Sequence, residues 1–142
     1  MEGQSSNKRK AIAEPEWDYE FSALVVEEDA DVRMAHKEIL TLVGARTCDT
    51  VGNGQEAVNL HLNGKTFDLI LMDFDMPGGD GFVTTNKLRS MGVHSLILSV
   101  SGPCSQDTVQ RFLKEIPIDG HYIKPLTVQM LQEALQKLNL KP

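Results

Sequence analysis

FDLILMDFDMPGGDG, residues Phe67 to Gly81, is an apolar run that ends first in acid and then in turn residues. Phe67 to Met72 has the length and continuity of a strand buried on both faces, as a central parallel strand is. It delivers one carboxylate, Asp73, to its C-terminal end, and a second follows at Asp75. Across Met76-Pro77-Gly78-Gly79-Asp80-Gly81 no regular element persists, because Pro lacks a donor and Gly favours turns. Ligands of open α/β sheets bind just beyond the carboxyl ends of the strands, where Asp73 falls. Taken alone, Asp73 reads as a capping residue that opens a turn. The rest of the chain decides otherwise.

Before this strand, Ser22 to Val26 is an apolar strand that ends in Glu27-Glu28-Asp29. Ala30 to Val43 then places Val32, Ala35, Ile39, Leu42 and Val43 at helical spacing, with Gly44 as the stop. Ala45 to Val51 is a more polar strand, and Gln55 to Leu62 a helix with Ala57, Val58 and Leu62 facing inward. After the Gly-rich turn, Phe82 to Met91 is helical, and Ser95 to Val100 is a buried strand ending in Ser101-Gly102-Pro103. Gln106 to Glu115 carries Val109, Phe112 and Leu113 on one side of a helix. Asp119 to Ile123 is a fifth strand, ending in Lys124-Pro125. The last helix, from Thr127, has Met130, Leu131, Ala134, Leu135 and Leu138 as its apolar stripe. Strands and helices alternating in this way predict one doubly wound α/β domain, a (βα)5 unit with a five-stranded parallel sheet covered by helices on both faces. It is expected over residues 17–142, with Trp17 as a lid on the core and residues 1–16 as a flexible polar tail.

Composition bounds the function. A net charge of −6 argues against nucleic acid as a partner, since phosphate backbones need clustered Lys and Arg. Lys8-Arg9-Lys10 resembles a nuclear import signal but reads as well as a solvated charge run. No apolar run reaches the roughly 18 residues of a membrane span, so no membrane contact is expected. Cys48 and Cys104 stand apart without metal or redox spacing, as free thiols of a cytoplasmic or nuclear protein do. His36, His61 and His94 are scattered and read as ordinary surface or core histidines. Met72 and Met76 read as packing around the site.

The fold brings Glu27, Glu28, Asp73, Ser101 and Lys124 to one edge of the sheet. Carboxylates facing one another repel unless a cation neutralises them, and hard oxygen donors suit Mg2+. A carboxylate nucleophile, a divalent metal and a lysine are the parts needed to form an acyl phosphate.

These motifs, ALVVEED with Arg33 downstream, LILMDFDMPGGDGF, LILSVSG and IKPLT, resemble in order and interval the receiver domain of two-component response regulators. The likeness runs from about Phe21 to Leu138 and extends to stand-alone plant receivers of the type-C class, which implies a flavodoxin-like receiver fold in a cytokinin-type phosphorelay. It implies Asp73 as phosphoacceptor, Glu27 and Glu28 as the acidic pair holding Mg2+, and Asp75 as a further metal ligand through its carbonyl. Ser101, with Gly102 after it, becomes the switch hydroxyl, and Lys124, followed by Pro125, the partner of the phosphoryl group. A histidine phosphotransfer protein or histidine kinase would be the donor and Mg2+ the cofactor. The chain would be a monomeric signalling domain rather than an enzyme. Its output would come from the face of the fourth helix, fifth strand and fifth helix, or from draining phosphate as a sink.

Three positions depart from the family pattern. Glu28 stands where Asp is usual, and its added methylene moves the carboxylate by about 1.5 Å. Pairing Glu28 with Asp29 instead restores a Glu-Asp pair but needs a bulge and puts Arg33 out of step. His121 replaces the aromatic switch residue three positions before Lys124, and Asp75 places an extra charge near the phosphoryl group. Two other functions fit the same residues. One is a degenerate receiver that binds partners with little phosphorylation. The other is a phosphatase of the haloacid-dehalogenase type, whose Asp-x-Asp resembles Asp73-Phe74-Asp75, although Pro77 and the third-strand position speak against it.

Overall fold

Alternate residues of three central strands point into two different cores, and this divides the molecule into layers. Ala23, Val25, Leu69, Leu71, Leu98 and Val100 join one cluster with Leu40, Val43, Leu131 and Leu135. Their neighbours Leu24, Val26, Ile70, Met72 and Ile97 join a second with Ala57, Val58, Phe74 and Leu88. The period-2 alternation of a strand thus faces helices on both sides of the sheet.

The computed structural model describes residues 20–137. The elements are β1 (Phe21–Val26), α1 (Ala30–Leu42), β2 (Ala45–Val51), α2 (Gly54–Leu62), β3 (Leu69–Asp73), α3 (Asp80–Ser90), β4 (Leu96–Ser101), α4 (Gln106–Glu115), β5 (Gly120–Ile123) and α5 (Val128–Lys137), with a 3₁₀ turn at Pro77–Gly79. All strand pairs are parallel, in the order β2-β1-β3-β4-β5. Helices α1 and α5 pack on one face, and α2, α3 and α4 on the other. The doubly wound parallel sheet expected from the sequence is the one observed. No helix among the described residues is long and apolar enough to cross a membrane. The 1–16 tail, Trp17, the Lys8-Arg9-Lys10 run and Leu138 lie outside the described residues.

Local chemistry sets the ends of the elements. Asp29 caps α1 by accepting from the N–H groups of Asp31 and Val32 at 2.9 and 3.1 Å. Asn53 caps α2 through Glu56 N–H, and Ser105 caps α4 through Thr108 N–H. β3 begins at Leu69 rather than Phe67, because Asp68 is occupied in fixing β1: its carboxylate accepts from Ser22 N–H at 2.9 Å. α3 begins at Asp80, two residues before the expected Phe82, since the chain turns at left-handed Gly79 (φ 70°) and helix follows directly.

Some helix faces differ from the sequence reading. In α1 the buried residues are His36 and Leu40, while Leu42 is exposed. Val43 is buried and Ile39 packs against the core as expected, and His36, which the sequence left open as surface or core, is buried. Leu62 of α2 is also exposed, beyond the reach of the sheet. In α4 no residue is fully buried, and Leu113 is exposed.

Candidate functional site

β3 lies between β1 and β4, so its last residue, Asp73, has a strand end on either side. Glu27 follows β1, Ser101 closes β4 and Lys124 follows β5. Hydrogen bonds lock these ends together: Phe74 N–H to Val100 O at 2.8 Å, Lys124 N–H to Ser101 O at 2.7 Å and Glu27 N–H to Val51 O at 3.1 Å. Asp73 is only 3% exposed and Glu27 only 2%, so both carboxylates are held out of water by the sheet itself.

Lys124 Nζ is the charge that ties the cluster. It lies 3.1 Å from Asp73 Oδ1, 3.3 Å from Glu27 Oε1 and 3.5 Å from Asp75 Oδ2. One ammonium therefore faces three carboxylates. Glu27 Oε1 is buried and, although near Lys124, accepts no hydrogen bond. Burial, and then the charge of Asp73, push the Glu27 carboxyl above its ordinary range. Burial alone would pull Lys124 down, but its hydrogen bond to Asp73 and the charges of Asp73 and Glu27 hold it above the usual lysine value.

The two residues of the expected acidic pair differ in burial, Glu27 being enclosed. Glu28 is exposed and lines a separate shallow pocket with Gly52, Asn53, Met76 and Asp80. Arg33 fixes this corner through main-chain carbonyls, with Nη1 2.9 Å from Glu27 O and 3.4 Å from Glu28 O. The Asp29 carboxylate, the alternative partner, is engaged as the α1 cap. Among the described residues no three His, Cys, Asp or Glu side chains converge as a ready-made metal cage.

Asp75 reaches the loop between β4 and α4, and His121 reaches β4 itself. Asp75 N–H donates to Asp73 Oδ1 at 2.8 Å, while Asp75 Oδ2 accepts from Gly102 N–H at 2.8 Å. His121 is buried and bridges two serines, with Nδ1 2.6 Å from Ser99 Oγ and Nε2 2.9 Å from Ser101 Oγ. Its ring packs near Phe74 and Phe112, at 5.6 and 4.9 Å between centroids. Burial lowers its pKa below the ordinary histidine value. The sequence singled out His121 but not Ser99, its register partner across the β4–β5 pairing. The available signal was the serine pair Ser99 and Ser101, two apart on one strand face in an otherwise apolar run.

The remaining candidates fall around this centre. Pro125 is exposed and joined to Lys124 by a cis peptide bond. Met72 and Met76 are buried, in the packing role expected of them. Both cysteines are free thiols; Cys104 is exposed, and burial pushes the Cys48 thiol up to about 11. A hollow of about 620 Å³ lies at the opposite edge of the sheet, lined by His61, Lys65, Phe67 and Met91, and includes none of the clustered residues.

Comparison with known proteins gives a consistent result. Residues 23–136 match the family model described as "Response regulator receiver domain". The chain is 37% identical over 119 residues to Two-component response regulator 24 of Arabidopsis thaliana, covering 84% of each chain. It is 40% identical over 108 residues to Two-component response regulator ARR22 of the same plant, covering 75% of each. Among solved structures it resembles the receiver domain of the Arabidopsis histidine kinase CKI1, complexed with Mg2+ and BeF3−. The TM-score is 0.63 at 22% identity, covering 85% of this chain and 91% of that one.

Proposed function

This chain belongs to the response regulator receiver family of two-component signalling, and from that premise we propose that it accepts a phosphoryl group on Asp73 from a phosphohistidine partner. The observation that carries the proposal is the Lys124 ammonium poised between two buried strand-end carboxylates, Asp73 and Glu27. Asp73 Oδ1 is held by Lys124 and by Asp75 N–H, which leaves Oδ2 as the nucleophile. As its bond to phosphorus forms, the donor's N–P bond breaks and the electron pair returns to the imidazole nitrogen. Lys124 then offsets the charge of the transferred group, and Ser101 and Gly102 supply hydrogen-bond donors from the adjoining loop.

The residues fit a hard divalent cation in kind. Glu27 and Asp73 are oxygen donors short of positive charge, and the buried Glu27 Oε1 has no hydrogen bond to satisfy it. Glu27, Asp73 and the Asp75 carbonyl would hold Mg2+, with Glu28 reaching it only by turning inward or through water. The metal would supply electrostatic stabilisation of the phosphoryl oxygens. A histidine phosphotransfer protein or histidine kinase is the donor class, and output runs through the α4–β5–α5 face or by withdrawal of phosphate from the relay. The domain is assigned to residues 17–142, acting in the cytoplasm or nucleus.

The test is phosphoryl transfer from a phosphorylated histidine phosphotransfer protein, with and without Mg2+. Alkali-labile label that requires the metal and vanishes in Asp73→Asn is the expected result. Label that persists in Asp73→Asn would refute the assignment. The exposed Glu28 favours a second reading, a partner-binding receiver that is phosphorylated only weakly. On that reading wild type takes little label, and Glu28→Asp, which restores the shorter carboxylate, raises it about tenfold, the worth of one charge-assisted contact.

A further inference from the structure

Gly102 N–H is already engaged by an anion, and the anion belongs to the chain. It donates to Asp75 Oδ2 at 2.8 Å, and the same oxygen lies 3.5 Å from Lys124 Nζ. Asp75 reaches this position from a main chain whose own N–H is bonded to Asp73 Oδ1. One carboxylate oxygen thus gathers a main-chain donor from the β4–α4 loop and the ammonium after β5. These are two of the groups that a phosphoryl oxygen on Asp73 would draw upon. Ser101 Oγ, the third, lies 2.9 Å from His121 Nε2 and 3.0 Å from Gly102 O. In this state, none of the three stands open.

We propose that Asp75 is a built-in competitor for the phosphoryl group. Its carboxylate holds the β4–α4 loop against the Lys124 end of the site in the unphosphorylated chain, and it departs when a phosphoryl oxygen takes Gly102 N–H and Lys124. The proposal rests on the reading of Asp73 as phosphoacceptor. Two anions drawn to one main-chain N–H repel each other, and a hydrogen bond from N–H to a carboxylate is roughly twice as strong as a neutral one. The Asp75 side chain is 48% exposed, against 3% for Glu27, so it can swing into water where Glu27 cannot. The loop position before phosphorylation is therefore set by this side chain rather than by an empty site relaxing outward.

The experiment uses the full chain as wild type, Asp75→Ala and Asp75→Asn, with beryllofluoride and Mg2+ as the phosphoryl mimic. Amide exchange at Gly102 and mimic affinity are both measured by NMR. Without the mimic, Gly102 exchange should be about tenfold faster in Asp75→Ala, with Asp75→Asn between, since its amide oxygen still accepts. With saturating mimic the three should converge. Affinity should rise from wild type through Asp75→Asn to Asp75→Ala. Unchanged Gly102 exchange in Asp75→Ala overturns the proposal. Equal affinity of Asp75→Ala and Asp75→Asn also overturns it, because charge alone then explains the gain. If wild type takes the mimic and both variants behave like it, only the competition fails and the acceptor assignment stands. If no variant takes the mimic, the acceptor assignment fails and the competition falls with it.

Discussion

Glu27 shows at the scale of one residue how a site works against the fold that holds it. Its carboxyl is buried beside Asp73 and pushed upward in pKa, so keeping it ionised costs the folded chain stability. Glu27→Gln removes that charge, while Lys124 keeps Asp73 and Asp75 as partners. The variant should melt at or above the wild-type temperature at pH 7.5 and lose Mg2+-dependent phosphorylation; a clear drop in melting temperature would contradict this account. Asp73, Glu27 and Lys124 were legible in the sequence because each ends an apolar strand, and strand ends meet at one edge. Glu28 and Asp75 were legible only as positions. The exposure of Glu28 and the reach of Asp75 to Gly102 depend on segments distant in the chain, which spacing does not encode. His121 was noticed as a departure, but its link to Ser99 depends on β4–β5 register.

At the scale of elements, α3 is set against the site by the absence of a side chain. A Cβ added to Gly81 would collide with the Asp73 carbonyl oxygen and lie 2.9 Å from Phe74 Cδ1. The first collision is with main chain, which cannot move aside without moving Asp73. Gly81→Ala should therefore destabilise by about 1–3 kcal/mol, as overpacking does, and slow phosphorylation of whatever folds. Urea midpoints and transfer rates measure the two effects. The far end of α3 is tied differently. Arg89 donates to the carbonyls of Pro117, Val93 and Ser95 and pairs with Asp119, joining two loops at the opposite edge of the sheet. The motif DMPGGDG read only as a turn, and that Gly81 already lies in α3 against the Asp73 carbonyl is visible in the structure alone. Nothing announced Arg89, because its partners are main-chain carbonyls, and every residue has one. His36 was left open between surface and core for a related reason: it is polar by composition, yet it is buried with Leu40.

For the whole molecule, the perturbed groups pull stability in opposite directions as pH changes. His36 and His121 are lowered by burial, so the unfolded chain binds more protons there, and stability falls as pH drops below about 6.5. Glu27 is raised, so the folded chain binds more protons, and protonation on acidification returns stability above its ordinary value of 4.5. Between pH 7.5 and 5 the wild-type loss should thus be smaller than that of Glu27→Gln and larger than that of His121→Phe, as urea midpoints at the two pH values would show. The opposite order would mean that these groups do not govern the acid limb. The fold as a whole was the most legible level, since alternating strands and helices with short connections allow few topologies. The tightness of each helix was the least legible, and α4 shows why it matters. Phe112 is the one α4 side chain packed against either core cluster, and its ring touches both Phe74, next to Asp73, and His121. The helix rests on that ring as a beam rests on a fulcrum, so the side chains of Phe74 and His121 set the height at which it sits over the sheet.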